Sequence, residues 1–355
     1  MCGGCTVPGV PYGEQLARKR QDLARLIGID VPPLIPSPKE SGFRSKVAFV
    51  FGPNAMGHFA AGSQRVVPVE ECPVHNERGN RIAFALRDRL RRARIAPGIL
   101  RHIIVRTTDD GGEASAMLVV TRNDKSLRTP VRGLLASAEK PDGLFININA
   151  KPGPFMIGDE TIKIDGRSHV KEVIGGVSYL VSPTAFFQTN GGAAAELVKL
   201  VMAETTGARR ILDLFCGSGL FALPMAKAGA VVTAVEENRQ AIADAETNVR
   251  LNRLATGQIR FVAARVEQAL LRLARDPWDA VVLDPPRQGC SPEVIAGVFE
   301  QIRPARVVYV SCNPDALATE LPVILKAGYR VTRVQPVDMF PHTAHIETVM
   351  AFERQ

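Results

Sequence analysis

The chain has 355 residues, 46% of them hydrophobic and 23% charged, a balance that suits a protein of two or more domains with a substantial core. No apolar stretch approaches the roughly 18 residues of a transmembrane helix, and Met1-Cys2-Gly3-Gly4-Cys5 is no secretory signal, so a cytoplasmic protein is expected. A formal charge of +8 points to a polyanionic partner such as nucleic acid, and six irregularly placed cysteines argue for thiol or metal chemistry rather than a disulfide framework.

Cys2 and Cys5 open the chain, followed by a helix predicted from about Gly13 to Ile27 with Leu16, Leu23, Leu26 and Ile27 on its apolar stripe. Arg18, Lys19, Arg20 and Arg25, partly offset by Glu14 and Asp22, read as its solvated face. Pro32, Pro33, Pro36 and Pro38 mark residues 29–40 as a linker. Strand-like runs follow at Phe43–Phe51, Ile99–Val105, Ala116–Val120 and Leu144–Ile148. Among them a helix predicted over Asn76–Arg94 carries Arg78, Arg81, Arg87, Arg89, Arg91, Arg92 and Arg94 against only Glu77 and Asp88. That run is either a solvated face or a phosphate-contacting one.

From about Ala208 the pattern alternates strand and helix, with strands near 210–214, 231–235, 259–262, 279–283 and 306–310. This predicts an α/β fold with a doubly wound parallel sheet. Two further apolar runs, Tyr329–Val334 and Ile346–Phe352, are separated by too short a loop for a helical crossover and should pair antiparallel at one edge.

In open α/β sheets ligands bind beyond the carboxyl ends of the strands. The first strand runs into Asp213-Leu214-Phe215-Cys216-Gly217-Ser218-Gly219, where glycines permit a sharp turn and close approach, and a helix predicted over Leu220–Ala228 would present its N-terminus to a ligand. The second strand ends in Glu236, placed to grip ribose hydroxyls. Gly217 to Ala222 also fits the G-x-G-x-x-A dinucleotide fingerprint, so an NAD-dependent oxidoreductase is a rival. Asp213 would repel a pyrophosphate but not a sulfonium such as S-adenosylmethionine, and the closing hairpin is the layout of class I methyltransferases.

The fourth strand ends in Asp284-Pro285-Pro286-Arg287-Gln288-Gly289, and the fifth in Ser311-Cys312-Asn313-Pro314 before a predicted helix whose N-terminus favours a thiolate. Glu347 starts an apolar strand after the polar loop Asp338–His345, where a carboxylate is costly unless used or paired. A cysteine and two carboxylates around one cofactor suggest methylation at carbon. Thiolate addition at C6 of uracil activates C5 towards the sulfonium methyl, and a base then removes the C5 proton; Cys312 and Glu347 suit those roles.

Phe186-Phe187-Gln188-Thr189-Asn190, Asp213–Gly219, Asp284–Gly289, Ser311–Pro314 and Phe340–Glu347 stand in the order and spacing of the RNA uracil-C5 methyltransferase family, which the chain resembles over essentially its whole length. The resemblance implies that Gln188, Phe215, Glu236 and Asp284 contact S-adenosylmethionine in a loop shaped by Asp213, Gly217 and Gly219, that Cys312 is the nucleophile and that Glu347 is the base. The order of the predicted elements divides the chain into a cysteine-bearing segment 1–40, an α+β domain 41–180 expected to contact RNA, and a methyltransferase domain 181–355. In the family's 23S rRNA branch four cysteines hold a 4Fe-4S cluster; Cys2 and Cys5 resemble the pair and Cys72, before Pro73, the distant ligand. The upstream cysteine is absent, which leaves a start lying further upstream, a non-cysteine ligand, or no cluster. Cys216 and Cys290 are then structural, and Arg265 stands where such enzymes often carry an acid near the adenine. The resulting expectation is a monomer that makes 5-methyluridine in 23S rRNA, with no membrane and no obligate protein partner. The alternatives are the same chemistry on tRNA, the NAD enzyme, and a non-catalytic iron–sulfur RNA-binding protein.

Overall fold

The computed structural model describes residues 2–53, 55–93, 95–151, 153, 156–255 and 257–355; Arg94 of the arginine-rich helix lies outside the described residues. The chain divides into two compact units, one of Met1–Pro8, Lys39–Glu172 and Leu180–Gly191, the other of Gly9–Pro38, Val173–Tyr179 and Gly192–Gln355.

Helix α1 (Tyr12–Ile27) belongs to the second unit and stops at Gly28, whose left-handed backbone (φ 67°) returns its amide to the Ala24 carbonyl. Its buried row is Gln15, Lys19, Leu23 and Ile27, spaced by four, while Leu26 of the expected stripe is 40% exposed. Lys19 therefore does not lie on a solvated face.

The first unit holds strands β1 (Lys46–Phe51), β2 (Met56–Phe59) and β3 (Val66–Pro68), helix α2 (Glu77–Arg92), strands β4 (Leu100–Thr107) and β5 (Ala114–Val120), helix α3 (Arg128–Leu135), and strands β6 (Gly143–Ile148) and β7 (Glu160–Gly166). They form one sheet in the order β3-β2-β1-β4-β5-β6-β7, antiparallel except for β5–β6. β5 is buried along its length, and its alternate residues Ala114, Ala116, Leu118 and Val120 join Ile82, Leu86 and Leu90 of α2 and Leu134 of α3 in one apolar core. Asn76 caps α2 by accepting from the Arg78 amide. Much of the arginine face is used internally: Arg78 pairs with Asp142, Arg81 with Glu77 and Glu139, and Arg87 with Asp88 and Glu70.

Strands β8 (Val170–Ile174) and β9 (Val177–Val181) form a separate hairpin turned by left-handed Gly175 and Gly176. Helix α4 (Gly191–Glu204) then leads into β10 (Arg210–Leu214), α5 (Ala222–Lys227), β11 (Val231–Glu236), α6 (Arg239–Leu251), β12 (Ile259–Ala263), α7 (Val266–Leu273), β13 (Ala280–Leu283), α8 (Pro292–Ala296), β14 (Arg306–Ser311), α9 (Pro314–Lys326), β15 (Tyr329–Val337) and β16 (Glu347–Arg354). The sheet order is β12-β11-β10-β13-β14-β16-β15, parallel through β14 and closed by an antiparallel pair, as the alternation predicts. Leu212, Leu214, Val281, Leu283, Val307 and Tyr309 share a core with Leu23 and Ile27 of α1 and Leu317 and Leu321 of α9. Three details differ from expectation. Helix α5 is only six residues long and starts at Ala222, the crossover after α8 continues as a π-helical turn over Gly297–Ile302, and β15 runs on through Pro336, which an edge strand tolerates. Among the described residues no helix is long and apolar enough to cross a membrane.

Candidate active site

The glycine-bearing loop leaves β10 through three left-handed positions, Phe215 (φ 65°), Gly217 (φ 52°) and Gly219 (φ 89°). A non-glycine residue in that region costs about 1 kcal/mol or more, so Phe215 must be held; the Cys216 amide, beside it, donates to the Val235 carbonyl at 3.0 Å. A Cβ on Gly219 would fall 2.1 Å from Leu223 Cδ1. Glu236 fastens the loop to the end of β11, accepting from the Gly217 amide at 3.1 Å and the Asn238 amide at 2.8 Å, and each oxygen keeps a lone pair for a ligand hydroxyl. Helix α5 begins at Ala222, two residues later than the sequence suggests. Tyr179, which the sequence reading missed, donates its hydroxyl to the Leu220 carbonyl at 3.0 Å and anchors the far end of the loop.

Asp213 is wholly buried between its register partners Ala234 and Val282, and among the described residues neither carboxyl oxygen makes a hydrogen bond of ordinary geometry. Burial raises its carboxyl well above the usual range, the Asp284 and Glu236 carboxylates add to this, and the Ala222 amide opposes it. Such an orphaned acid is relieved by a cation or hydroxyl donor, which fits S-adenosylmethionine better than a pyrophosphate.

Asp284 leaves β13 in the middle of the sheet, its amide donating to the Leu214 carbonyl at 3.3 Å. Burial, then the neighbouring Glu236, pushes its carboxyl up to about 7. The loop beyond it is pinned by a second residue missed from sequence: Glu320 of α9 accepts from the Cys290 amide at 2.8 Å and the Tyr309 hydroxyl at 2.7 Å. Its signal was present as a lone carboxylate amid the apolar row Leu317, Leu321 and Ile324. Asn313 Nδ2 donates to the Arg287 carbonyl at 2.8 Å, tying this loop to the turn that carries Cys312.

Ser311 pairs with Thr348 across β14 and β16, so the next residue on each chain, Cys312 and Glu347, stand opposite one another as the pairing ends. Glu347 is buried; burial and Asp284 raise its carboxyl well above the usual range while Arg287 pulls it back. The Cys312 thiol, partly exposed, is pushed up to about 11 by burial first and then by Glu347 and Asp284, against Arg287 and its own amide. This corrects the expectation of a thiolate: desolvation and two carboxylates outweigh the N-terminus of α9.

Gln188 belongs to the first unit, half-buried on the segment before α4, whereas Asp213, Phe215, Gly217, Gly219, Glu236, Asp284, Cys312 and Glu347 all belong to the second. Cys2, Cys5 and Cys72 lie in the first unit near enough for Cys72 and Cys2 to help burial raise the Cys5 thiol. The expected 4Fe-4S cluster is nonetheless unsupported. Among the described residues no group of three His, Cys, Asp or Glu side chains is arranged to hold a metal ion, and Cys72 is buried in the apolar core of its unit, its thiol raised by burial. A 4Fe-4S cluster takes four thiolates, of which Cys2, Cys5 and Cys72 would be three. Cys216 and Cys290 are buried with raised thiols, as structural cysteines should be, and Arg265 is exposed beside Glu267.

A parallel sheet closed by an antiparallel pair, with a glycine loop and three carboxylates gathered at its carboxyl end, defines a class I S-adenosylmethionine-dependent methyltransferase. Comparison with known proteins sharpens the class. The family model for tRNA (uracil-5-)-methyltransferases matches residues 159–355. The chain is 33% identical to an uncharacterised RNA methyltransferase of Gloeobacter violaceus over 99% of its own length and 81% of the relative's. It is 34% identical to another from Thermosynechococcus vestitus, over 98% and 81%. The crystal structure of Pyrococcus abyssi tRNA (uracil-54, C5)-methyltransferase, in complex with S-adenosyl-L-homocysteine, superposes with a TM-score of 0.85 at 28% identity, covering 99% of this chain and 86% of that one. The chain belongs to the RNA uracil-5-methyltransferase family and is an S-adenosylmethionine-dependent enzyme. The NAD-dependent and non-catalytic alternatives fall with that membership.

Proposed function

We propose that this enzyme methylates C5 of a uridine in 23S rRNA through a transient bond between Cys312 Sγ and C6 of the base. The observation that carries the chemistry is the opposition of Cys312 and Glu347 at the end of β14–β16, beside Asp284. Phe215, Glu236 and Asp284 hold the cofactor, with Asp213, Gly217 and Gly219 shaping its loop. Bound there, S-adenosylmethionine supplies an electrophilic methyl group on a cationic sulfur. The partly exposed Cys312 thiol gives its proton to solvent water and the thiolate sulfur adds to C6, moving the C5–C6 electron pair onto C5 and O4. C5 takes the methyl group, Glu347 removes the C5 proton, and the returning electron pair expels Cys312. The same burial that raises the Glu347 carboxyl makes its ionised form a stronger base. Phe340-Pro341-His342-Thr343 supports the rRNA substrate by its likeness to the rRNA branch, and region 41–180 would contact the RNA. A second reading, the same chemistry on tRNA, is favoured by the likeness to the Pyrococcus abyssi enzyme.

The test is methyl transfer from labelled S-adenosylmethionine to unmodified 23S rRNA and to bulk tRNA, followed by digestion to nucleosides. Label in 5-methyluridine from rRNA, abolished by Cys312→Ala, is expected. Label from tRNA alone moves the substrate and keeps the chemistry; no labelled 5-methyluridine from either RNA overturns the proposal.

A further inference from the structure

The loop that joins β15 to β16 leads directly into Glu347, and a side chain that must meet one proton on a bound base has to be held to a fraction of an ångström. The loop's own bonds do part of this: Asp338 Oδ1 accepts from the Phe340 amide, Thr343 Oγ1 donates to the Phe340 carbonyl, and the His345 amide donates to Thr343 Oγ1. Within it His342 is a non-glycine residue at φ 66°, a backbone conformation that its surroundings must hold.

Support comes from helix α1, more than 300 residues away in sequence. Lys19 Nζ donates to Asp338 Oδ1 at 2.7 Å and to the Phe340 carbonyl at 3.1 Å, and the side chains of this ion pair are 4% and 0% exposed. One turn earlier, Gln15 Oε1 accepts from the His342 amide at 2.8 Å, Gln15 Nε2 lies 3.3 Å from His342 Nδ1, and Nε2 also donates to the Val10 carbonyl. The start of the loop is tied as well, since the Asp338 amide donates to the Ile35 carbonyl and the Ile35 amide to the Pro336 carbonyl. The buried row of α1 thus splits by chemistry: Leu23 and Ile27 enter the apolar core, while Gln15 and Lys19 spend buried polarity on one loop. Burying a lysine costs several kcal/mol, and an apolar pair of like volume would often serve stability as well. What an apolar pair cannot do is fix the carbonyl of Phe340 and the carboxylate of Asp338 at hydrogen-bond distance.

We infer that α1 is the positioning element for Glu347, with Lys19 and Gln15 as positioning residues that hold the Asp338–His345 loop for the proton-abstraction step. The inference rests on the reading of Glu347 as the base. The experiment uses the full-length enzyme and follows four readouts in Gln15→Ala, Lys19→Met, Lys19→Arg and Glu347→Gln. These are turnover on RNA, covalent RNA–protein adduct on a denaturing gel, affinity for S-adenosyl-L-homocysteine, and the thermal midpoint. Gln15→Ala and Lys19→Met should slow turnover on the order of tenfold or more. They should accumulate methylated adduct as Glu347→Gln does and keep cofactor affinity within about twofold, with Lys19→Arg recovering part of the turnover. If Lys19→Met does not fold, Gln15→Ala decides, because it leaves the Lys19–Asp338 pair intact. Adduct with Glu347→Gln but none with Gln15→Ala overturns this inference alone, as does loss of cofactor affinity in step with turnover. No adduct with Glu347→Gln, in a variant that still binds cofactor, overturns the reading of Glu347 as base and this inference with it.

Discussion

Cys312 is reactive only as far as its surroundings allow, and in the free protein they hold it as a thiol. With the thiol pushed up to about 11 and Glu347 among the causes, alkylation by iodoacetamide at the Cys312 peptide should keep accelerating as pH rises through 8 to 10. Glu347→Gln should speed it at fixed pH, because a negative charge that disfavours the thiolate is gone; an unchanged rate would show that Glu347 does not raise the thiol. Asp284 carries the opposite kind of cost. Its carboxyl stands near 7 in the folded protein against an unfolded value of about 4, so the folded state holds the proton in between. That contribution is complete below the unfolded value and is lost as pH rises through about 7. The thermal midpoint of the cofactor-free enzyme should therefore fall from pH 5 to pH 8, and Asp284→Asn should flatten the fall. Buried Asp213 and Glu347 act with the same sign. The identities of these residues were legible in sequence because each stands at an end of a predicted strand, Glu347 at the start of one and the others at the close. Their protonation was not, since it depends on which carboxylates converge from four separate strands.

Among the elements, the loop from Asp284 to Cys290 shows how a scaffold residue controls a site it does not touch. A Cβ on Gly289, already at φ 79°, would lie 2.1 Å from Glu320 Oε1 and 2.9 Å from Ala316 Cβ. Gly289→Ala should destabilise the enzyme by about 1–3 kcal/mol and lower turnover. In a double-mutant cycle with Glu320→Ala its cost should shrink, and strict additivity of the thermal shifts would disprove the contact. The strands and their parallel-then-antiparallel order were readable from alternating apolar runs and loop lengths. The length of α5 was not, because residues 220–221 form a turn after left-handed Gly219 and the helix begins only at Ala222. Helix α1 was placed correctly in sequence but its lysine was not, since a charge on a helix reads as solvated until its partner, hundreds of residues on, is seen.

At the scale of the whole molecule, the net charge of +8 favours a polyanionic partner. Apparent affinity for RNA should fall steeply and log-linearly with salt, while affinity for S-adenosyl-L-homocysteine changes little. Within α2, Arg81 is engaged by Glu77 and Glu139, whereas Arg91 and Arg92 are exposed. Reversing Arg91 and Arg92 to Glu should weaken RNA binding and reduce the salt slope more than Arg81→Ala does; equal effects, or none, would assign the helix a purely solvated role.

The sequence by itself determined the α/β sheet, the strand-end motifs and the family, because apolar periodicity and short motifs are local properties of a chain. Tertiary structure alone decided that Cys312 faces Glu347 as a thiol, that Cys72 sits in an apolar core, and that Lys19 grips the loop before Glu347. Each of those outcomes is set by desolvation and by charges meeting across long chain separations, and neither is written in the order of the residues.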